Sequence, residues 1–221
     1  ECAELGGTCV NVGCVPKKLY SYAAGYAAAF EEAPGYGWTL PEAPRFDWAT
    51  LKRQRAQEIT RLNGVYQKLL DGAGVKTLTG WAQLVDGHTV SVSDTRYTAR
   101  HILVATGGMP AAPDMPGREL AVVSDAMFDL PDFPKRLLVM GGGYIGCEFA
   151  SLFRGLGAHV TLVNRGAHIL NGFDDDVREA LAREMGRQGI DLRMTAQVET
   201  LRREGDGLVA MLSRGQQIEA D

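Results

Sequence analysis

The stretch "KRLLVMGGGYIGCEFASLFRGLGAHVTLVN", Lys135 to Asn164, decides the fold. It opens on an apolar run, crosses a glycine cluster, continues with apolar residues at helical spacing, turns at Gly157 and closes on a second apolar run. That layout is strand, turn, helix, turn and strand, a right-handed βαβ unit built on a parallel sheet. Gly141, Gly143 and Gly146 form G-x-G-x-x-G directly after the first strand and at the head of the helix. Their missing side chains permit a tight turn and let a pyrophosphate approach the helix N-terminus. The loop Gly141, Gly142, Gly143, Tyr144, Ile145 and Gly146 is therefore expected to bind a dinucleotide, against the plainer reading of a glycine turn that only packs helix on strand. The end of the second strand selects which dinucleotide. NAD binders place Asp or Glu there for the ribose 2′-hydroxyl, whereas this chain has Asn164 followed by Arg165. Loss of the carboxylate and gain of a guanidinium favour a 2′-phosphate, hence NADP(H), and the plainer reading makes Arg165 a solvated loop residue.

Downstream, "DDDVREALAREMGRQG" is a helix with acids in its first turn, where they complement the helix dipole, and it leads to the strands "IDLRM", "QVETLRR" and "GLVAMLS". Upstream, "ATGGMPAAPDMPGRE" is a glycine- and proline-rich crossing that divides the chain into domains 1–108 and 109–221. Before it, "VKTLTG", "WAQLV", "HTVSVS" and "RYTARHILVA" alternate as strands of a meander over residues 75–105. Asp47 is placed to cap a long helix ending near Asp71, with Trp48, Leu51, Ile59, Leu62, Val65, Tyr66, Leu69 and Leu70 on its apolar face. An earlier helix starts near Pro16, whose missing N–H costs nothing in a first turn, and runs through alanines to Phe30, after a loop carrying two cysteines.

The 221 residues are 45% hydrophobic and 23% charged, a composition that can bury one large core or two modest ones. A net charge of −4 with scattered basic residues gives no stripe for nucleic acid. No apolar run reaches the roughly 18 residues of a membrane span, and "ECAELGG" resembles no secretory leader. Four cysteines, three of them within the first 14 residues, are too few for a secreted disulfide scaffold, so a cytoplasmic setting is expected. Glu1 heads a loop with nothing before it and Asp221 closes a strand-like run, which reads as the middle of a longer protein.

Cys9 and Cys14 in "GGTCVNVGC" leave several chemistries open. An iron–sulfur or zinc site lacks its further ligands, since the next cysteine after Cys14 is Cys147 and no histidine has partner spacing; no metal is expected. A structural brace, two idle thiols and a redox pair remain. In favour of the redox pair, Cys14 precedes the helix start at Pro16, where the helix dipole, Lys17 and Lys18 favour a thiolate, and a nicotinamide nucleotide bound later in the chain is an electron source.

"LGGTCVNVGCVPKK" resembles the redox-disulfide signature of the FAD-dependent pyridine nucleotide-disulfide reductases, and its "CVNVGCVPKK" form is most similar to the glutathione-reducing branch. "ATGG" at residues 105–108, "GGGYIGCEFA" and "RLNGVYQKLL" resemble further motifs of that family in the same order. The resemblance implies an α/β fold of two Rossmann-like domains, one for FAD and one for NADP, with the FAD domain truncated at its N-terminus and a C-terminal dimerisation domain absent. It implies that Cys14 is the thiol against the flavin and Cys9 the one that attacks the substrate disulfide. Lys17 would lie near the flavin paired with Glu148, and Tyr144 would be an aromatic lid displaced by nicotinamide. Glu1, Gly7, Thr8, Ala82, Ala105, Thr106 and Gly107 would line FAD, Tyr66 would touch glutathione, and Arg165 would hold the NADP 2′-phosphate. Glutathione disulfide is the implied substrate, in a homodimer formed through the missing domain.

Two residues depart from the pattern. Asn171 aligns with the family's second phosphate-binding arginine, and Gly146 stands where many glutathione-reducing members carry Ala. Related reductases for trypanothione, mercuric ion or dihydrolipoamide share the fold, and a noncatalytic nucleotide-binding module is the reading from another class.

Overall fold

A computed structural model describes residues 1–221. Two compact units divide the chain: residues 1–19 with 49–110, and residues 20–48 with 111–221. The first contains α1 (Gly7–Asn11), the opening turns of α2 (Cys14–Glu32), nearly all of α3 (Trp48–Gly72) and an antiparallel sheet. That sheet is a meander of β1 (Ala82–Asp86), β2 (Thr89–Val92) and β3 (Thr95–Thr98), with Val90 opposite both Leu84 and Tyr97.

The meander is shorter than the alternation predicts. Residues 75–80 and 101–105, expected as strands, form none. A strand exists only through its ladder, and the first stretch makes only scattered bonds: the Val75 N–H donates to the Leu70 carbonyl at 2.9 Å, the Glu1 backbone nitrogen to the Leu78 carbonyl at 2.9 Å and the Gly80 N–H to the Glu1 carbonyl at 2.9 Å. The second stretch makes no backbone hydrogen bond to another segment, and Leu103 is 90% exposed. The long helix does begin immediately after Asp47, but only the first part of its apolar stripe is covered. Trp48 and Ile59 are buried while Val65, Tyr66 and Leu69 face solvent.

In the second unit the βαβ expectation is met. β4 (Arg136–Met140), α4 (Tyr144–Gly155) and β5 (His159–Asn164) lead through α5 (Asp175–Arg187) to β6 (Asp191–Met194), a parallel sheet in the order β4-β5-β6 with Val139 opposite Leu162. An antiparallel sheet follows, β7 (Val198–Glu204), β8 (Gly207–Leu212) and β9 (Gln217–Ala220). Val163, Val198, Leu201, Ala210 and Leu212 pack together between the two sheets' elements. A second nucleus is aromatic: Phe153 lies against Trp48, Phe133 and Phe149, and Tyr20 meets Trp48 and Phe128 edge to face while its hydroxyl donates to the Phe128 carbonyl at 2.8 Å. Asp174 caps α5 by accepting from the Asp176 and Val177 N–H groups.

Asp221 links two strands of this unit. Its carboxylate accepts from the Lys135 and Arg136 N–H groups and from the Arg136 guanidinium, tying β9 to the head of β4. Partial burial pushes its pKa up, but the Arg136 guanidinium and the two backbone N–H groups outweigh that and hold it below the ordinary carboxylate value. A depressed pKa means that the contribution is complete above the unfolded value of about 3.9 and is lost as pH falls through the folded one. Asp221→Asn should therefore lower Tm at pH 7, and the gap from wild type should narrow as pH falls below the unfolded value of about 3.9. A gap that does not change with pH would refute it.

Candidate functional site

The cysteine segment is not the open loop expected from its glycines. Gly6 and Gly7 take left-handed backbone, φ 104° and 61°, and start the short helix α1; a Cβ at Gly6 would lie 2.6 Å from the Val10 Cβ. The Val12 N–H donates to the Thr8 carbonyl at 3.0 Å, and a Cβ at Gly13 would come within 2.8 Å of the same oxygen, so the chain doubles back between them. The result sets the Cys9 and Cys14 Cα atoms 4.6 Å apart and joins the two residues in a disulfide. Both cysteines are exposed, whereas Val10 and Pro16 beside them are buried and anchor the ring. Cys14 is the first residue of the 19-residue α2, with the Lys17 N–H bonded to the Gly13 carbonyl at 3.0 Å. A sulfur there sits in the positive end of the helix dipole, which favours its thiolate once reduced. A ring this small removes little chain entropy, so bracing is the least this bond can do.

Sequence reasoning missed the amides that hold this ring. Asn63 on α3 donates to the Leu5 carbonyl at 2.7 Å and to Asn11 Oδ1 at 2.9 Å, and Asn11 lies within the ring. The only signal was the asparagine inside "RLNGVYQKLL". Cys147 stands apart from the exchange chemistry. It is 4% exposed, and burial first, then the Glu148 charge, push its thiol up to about 11, so it is protonated at neutral pH.

The second site is the glycine turn between β4 and α4. Gly141 has φ 106°, and a Cβ on Gly146 would lie 2.1 Å from the Gly141 carbonyl oxygen. This loop thus runs closer to α4 than an alanine at position 146 permits. Gly143 caps α4 without a side chain, and a Cβ there would meet nothing within 4 Å, which leaves room for a phosphate against the first turn of the helix. Asn164 has a part that sequence reasoning did not assign. Its Oδ1 accepts from the Gly142 N–H at 3.2 Å, while its Nδ2 donates to the carbonyls of Gly166 at 3.3 Å and His168 at 2.8 Å. The Leu170 N–H returns to the Gly142 carbonyl at 2.6 Å. The glycine turn and the loop after β5 are therefore one hydrogen-bonded body, with Arg165 exposed at its rim.

A family model described as pyridine nucleotide-disulphide oxidoreductase matches residues 1–221. The chain belongs to that family. Among curated members it is 45% identical over 218 residues to glutathione reductase of Burkholderia cepacia, covering 99% of this chain and 48% of that protein. To the chloroplastic/mitochondrial glutathione reductase of Pisum sativum it is 42% identical over 207 residues, covering 94% and 38%. Among solved structures, a Cu(II) complex of the HOCl-induced flavoprotein disulfide reductase RclA from Escherichia coli superposes with a TM-score of 0.83 at 25% identity, over 99% of this chain and 47% of that one. The chain spans about half the length of these relatives or less. Its mixed α/β architecture with a parallel nucleotide-binding sheet is the fold of the pyridine nucleotide-disulphide oxidoreductases, whose cofactors are FAD and NADPH.

In this family member the expected site residues distribute over both units. Cys9, Cys14, Lys17, Gly7, Thr8 and Tyr66 lie in the first, and Tyr144, Ile145, Glu148 and Arg165 in the second. Glu1 is drawn to the segment before Ala82 by its bonds to Leu78 and Gly80, and its Oε1 accepts from the Cys2 and Ala3 N–H groups at 3.0 and 3.3 Å. Ala105, Thr106 and Gly107 are exposed in a stretch without helix or strand, Gly107 with φ 72°. Tyr66 is 40% exposed on α3. No group of three or more His, Cys, Asp or Glu is placed to hold a metal ion, and no helix is long and apolar enough to cross a membrane.

Proposed function

We propose that the protein carrying this chain is an NADPH-dependent glutathione reductase acting through FAD and the Cys9–Cys14 disulfide. One observation carries the reading: an exposed disulfide whose second sulfur occupies the first position of a long helix. Such an arrangement makes one of the two thiols the better thiolate, as exchange chemistry requires.

The residues fit the two cofactors. For NADPH, the turn at Gly141–Gly146 gives a backbone cradle that a side chain would fill, and Arg165 offers a guanidinium to the 2′-phosphate where Asn164 offers no carboxylate. For FAD, the Glu1 carboxylate is oriented by two N–H groups on one oxygen and keeps the other for a ribose hydroxyl, with Gly7, Thr8, Ala82, Ala105, Thr106 and Gly107 as further lining. FAD, when bound, passes the two electrons of NADPH to the disulfide.

In the dithiol state, Cys9 as thiolate attacks one sulfur of glutathione disulfide, forming a mixed disulfide and releasing one glutathione thiolate. Cys14 as thiolate then attacks the Cys9 sulfur, which restores the ring and releases the second glutathione. Each leaving thiolate takes a proton, so NADPH, one proton and glutathione disulfide give NADP⁺ and two glutathiones. Lys17 is assigned to the flavin side of the ring, Tyr144 to the nicotinamide side, and Tyr66 to glutathione. The reading extends to a homodimer working in the cytoplasm.

Turnover by the full-length protein, followed as NADPH oxidation, tests it. Glutathione disulfide should be consumed in preference to trypanothione disulfide, mercuric ion and lipoamide, and NADPH in preference to NADH. A different preferred acceptor, or no acceptor, overturns the assignment.

A further inference from the structure

The ring that carries the disulfide is fastened to α3 by a pair of amides. Asn63 donates both hydrogens of its amide, one to the Leu5 carbonyl at 2.7 Å and one to Asn11 Oδ1 at 2.9 Å. Asn11 stands between Cys9 and Cys14, and its own Nδ2 donates to the carbonyls of Glu4 at 3.4 Å, Leu5 at 3.2 Å and Gly7 at 2.9 Å. Both amides are partly buried where they meet, so their donors cannot be exchanged freely for water. Asn63 also lies three residues before Tyr66, one helical turn along α3.

We infer that Asn63 is a positioning residue of the redox site, holding the two sulfurs in reach of each other in the reduced state. The inference rests on the proposed role of Cys9–Cys14 as the exchanging disulfide. In the oxidised state the S–S bond keeps the ring closed whatever else surrounds it. Once that bond is reduced, the sulfurs stay together only through the turn at Thr8–Gly13 and the amides that clamp it. Re-forming the bond depends on the local concentration of one thiol at the other, which falls as the loop gains conformers. Removing the clamp therefore frees the dithiol more than the disulfide, and the equilibrium moves toward the dithiol. The residue type matters because both bonds are donations: a carboxylate of the same shape would face the Leu5 carbonyl and Asn11 Oδ1 with no hydrogen to give.

The test uses the full-length protein equilibrated with mixtures of reduced and oxidised dithiothreitol, with the Cys9 and Cys14 thiols trapped and counted by peptide mass. In that exchange dithiothreitol gives up two electrons and two protons to become its cyclic disulfide, while Cys9–Cys14 becomes two thiols. Asn63→Leu removes the amide and keeps the branched heavy-atom skeleton; Asn63→Asp keeps the shape and removes the donors. Both should move the equilibrium toward the dithiol by about tenfold, equivalent to about 30 mV for a two-electron couple. A role confined to stability would lower Tm yet leave the equilibrium within about twofold of wild type in both variants, and that result, or a shift toward the disulfide, overturns the inference. Failure of NADPH to reduce Cys9–Cys14 in the wild-type protein would instead overturn the proposed function, while the dithiothreitol equilibrium would still report on Asn63.

Discussion

Under the proposed function, Cys9→Ser should abolish NADPH-dependent reduction of glutathione disulfide, by a factor on the order of 10³ or more, because the proposed route to the substrate runs through the attacking sulfur. Cys14→Ser should be as inactive, and spectroscopy separates the two. With Cys14 at the first position of α2, its thiolate is the one that the helix dipole stabilises. The Cys9→Ser protein should therefore retain the long-wavelength absorbance of a thiolate against the flavin, and the Cys14→Ser protein should lack it. The opposite pattern would exchange the roles of the two sulfurs. Residual turnover near the wild-type level in either variant would remove the disulfide from the reaction. Cys147 gives an internal control: buried and protonated, it should stay unmodified by a thiol reagent that labels the reduced Cys9 and Cys14.

Asn164→Asp should cost about 1–3 kcal/mol of stability and weaken NADPH binding by roughly tenfold or more, without creating NADH binding. From the sequence this substitution looks like the simplest conversion to an NAD enzyme, since it installs the carboxylate that such sites use. In the structure the Asn164 amide is already committed. Its Nδ2 gives hydrogens to the carbonyls of Gly166 and His168, and its Oδ1 takes one from Gly142. An aspartate could keep only the last of these and would set a negative oxygen against two carbonyl oxygens. The glycine turn and the loop bearing Arg165 would then lose their common anchor. Calorimetric titration with NADPH and with NADH, beside a thermal melt, checks the three outcomes together. Tight NADH binding with an unchanged melt would show that the amide is not an anchor.

The legible parts were those written in local pattern. The βαβ unit at Lys135–Asn164, the helix through Pro16, which begins at Cys14 rather than at the proline, and the meander around Ala82–Thr98 all follow from periodicity, glycine placement and turn residues close in sequence. Residues 75–80 and 101–105 carry the same alternation and form no strand, because alternation reports a face and not a partner, and pairing is a property of neighbours distant in sequence. The helix α3 shows the same division. Its apolar stripe runs its whole length, and burial reaches Ile59 but not Val65, Tyr66 or Leu69.

By itself the sequence determined the fold class, the glycine turn between strand and helix and the pair of cysteines beside a helix start, since each depends on residues within a few positions of one another. Only the tertiary structure decided what holds them in place. Asn63 reaches Asn11 across 52 positions and Asn164 reaches Gly142 across 22, and no spacing rule specifies which distant amide will supply a loop's missing hydrogen bonds. Those bonds form where folding happens to bring unsatisfied backbone groups beside a side chain of the right length, and that choice is made in three dimensions.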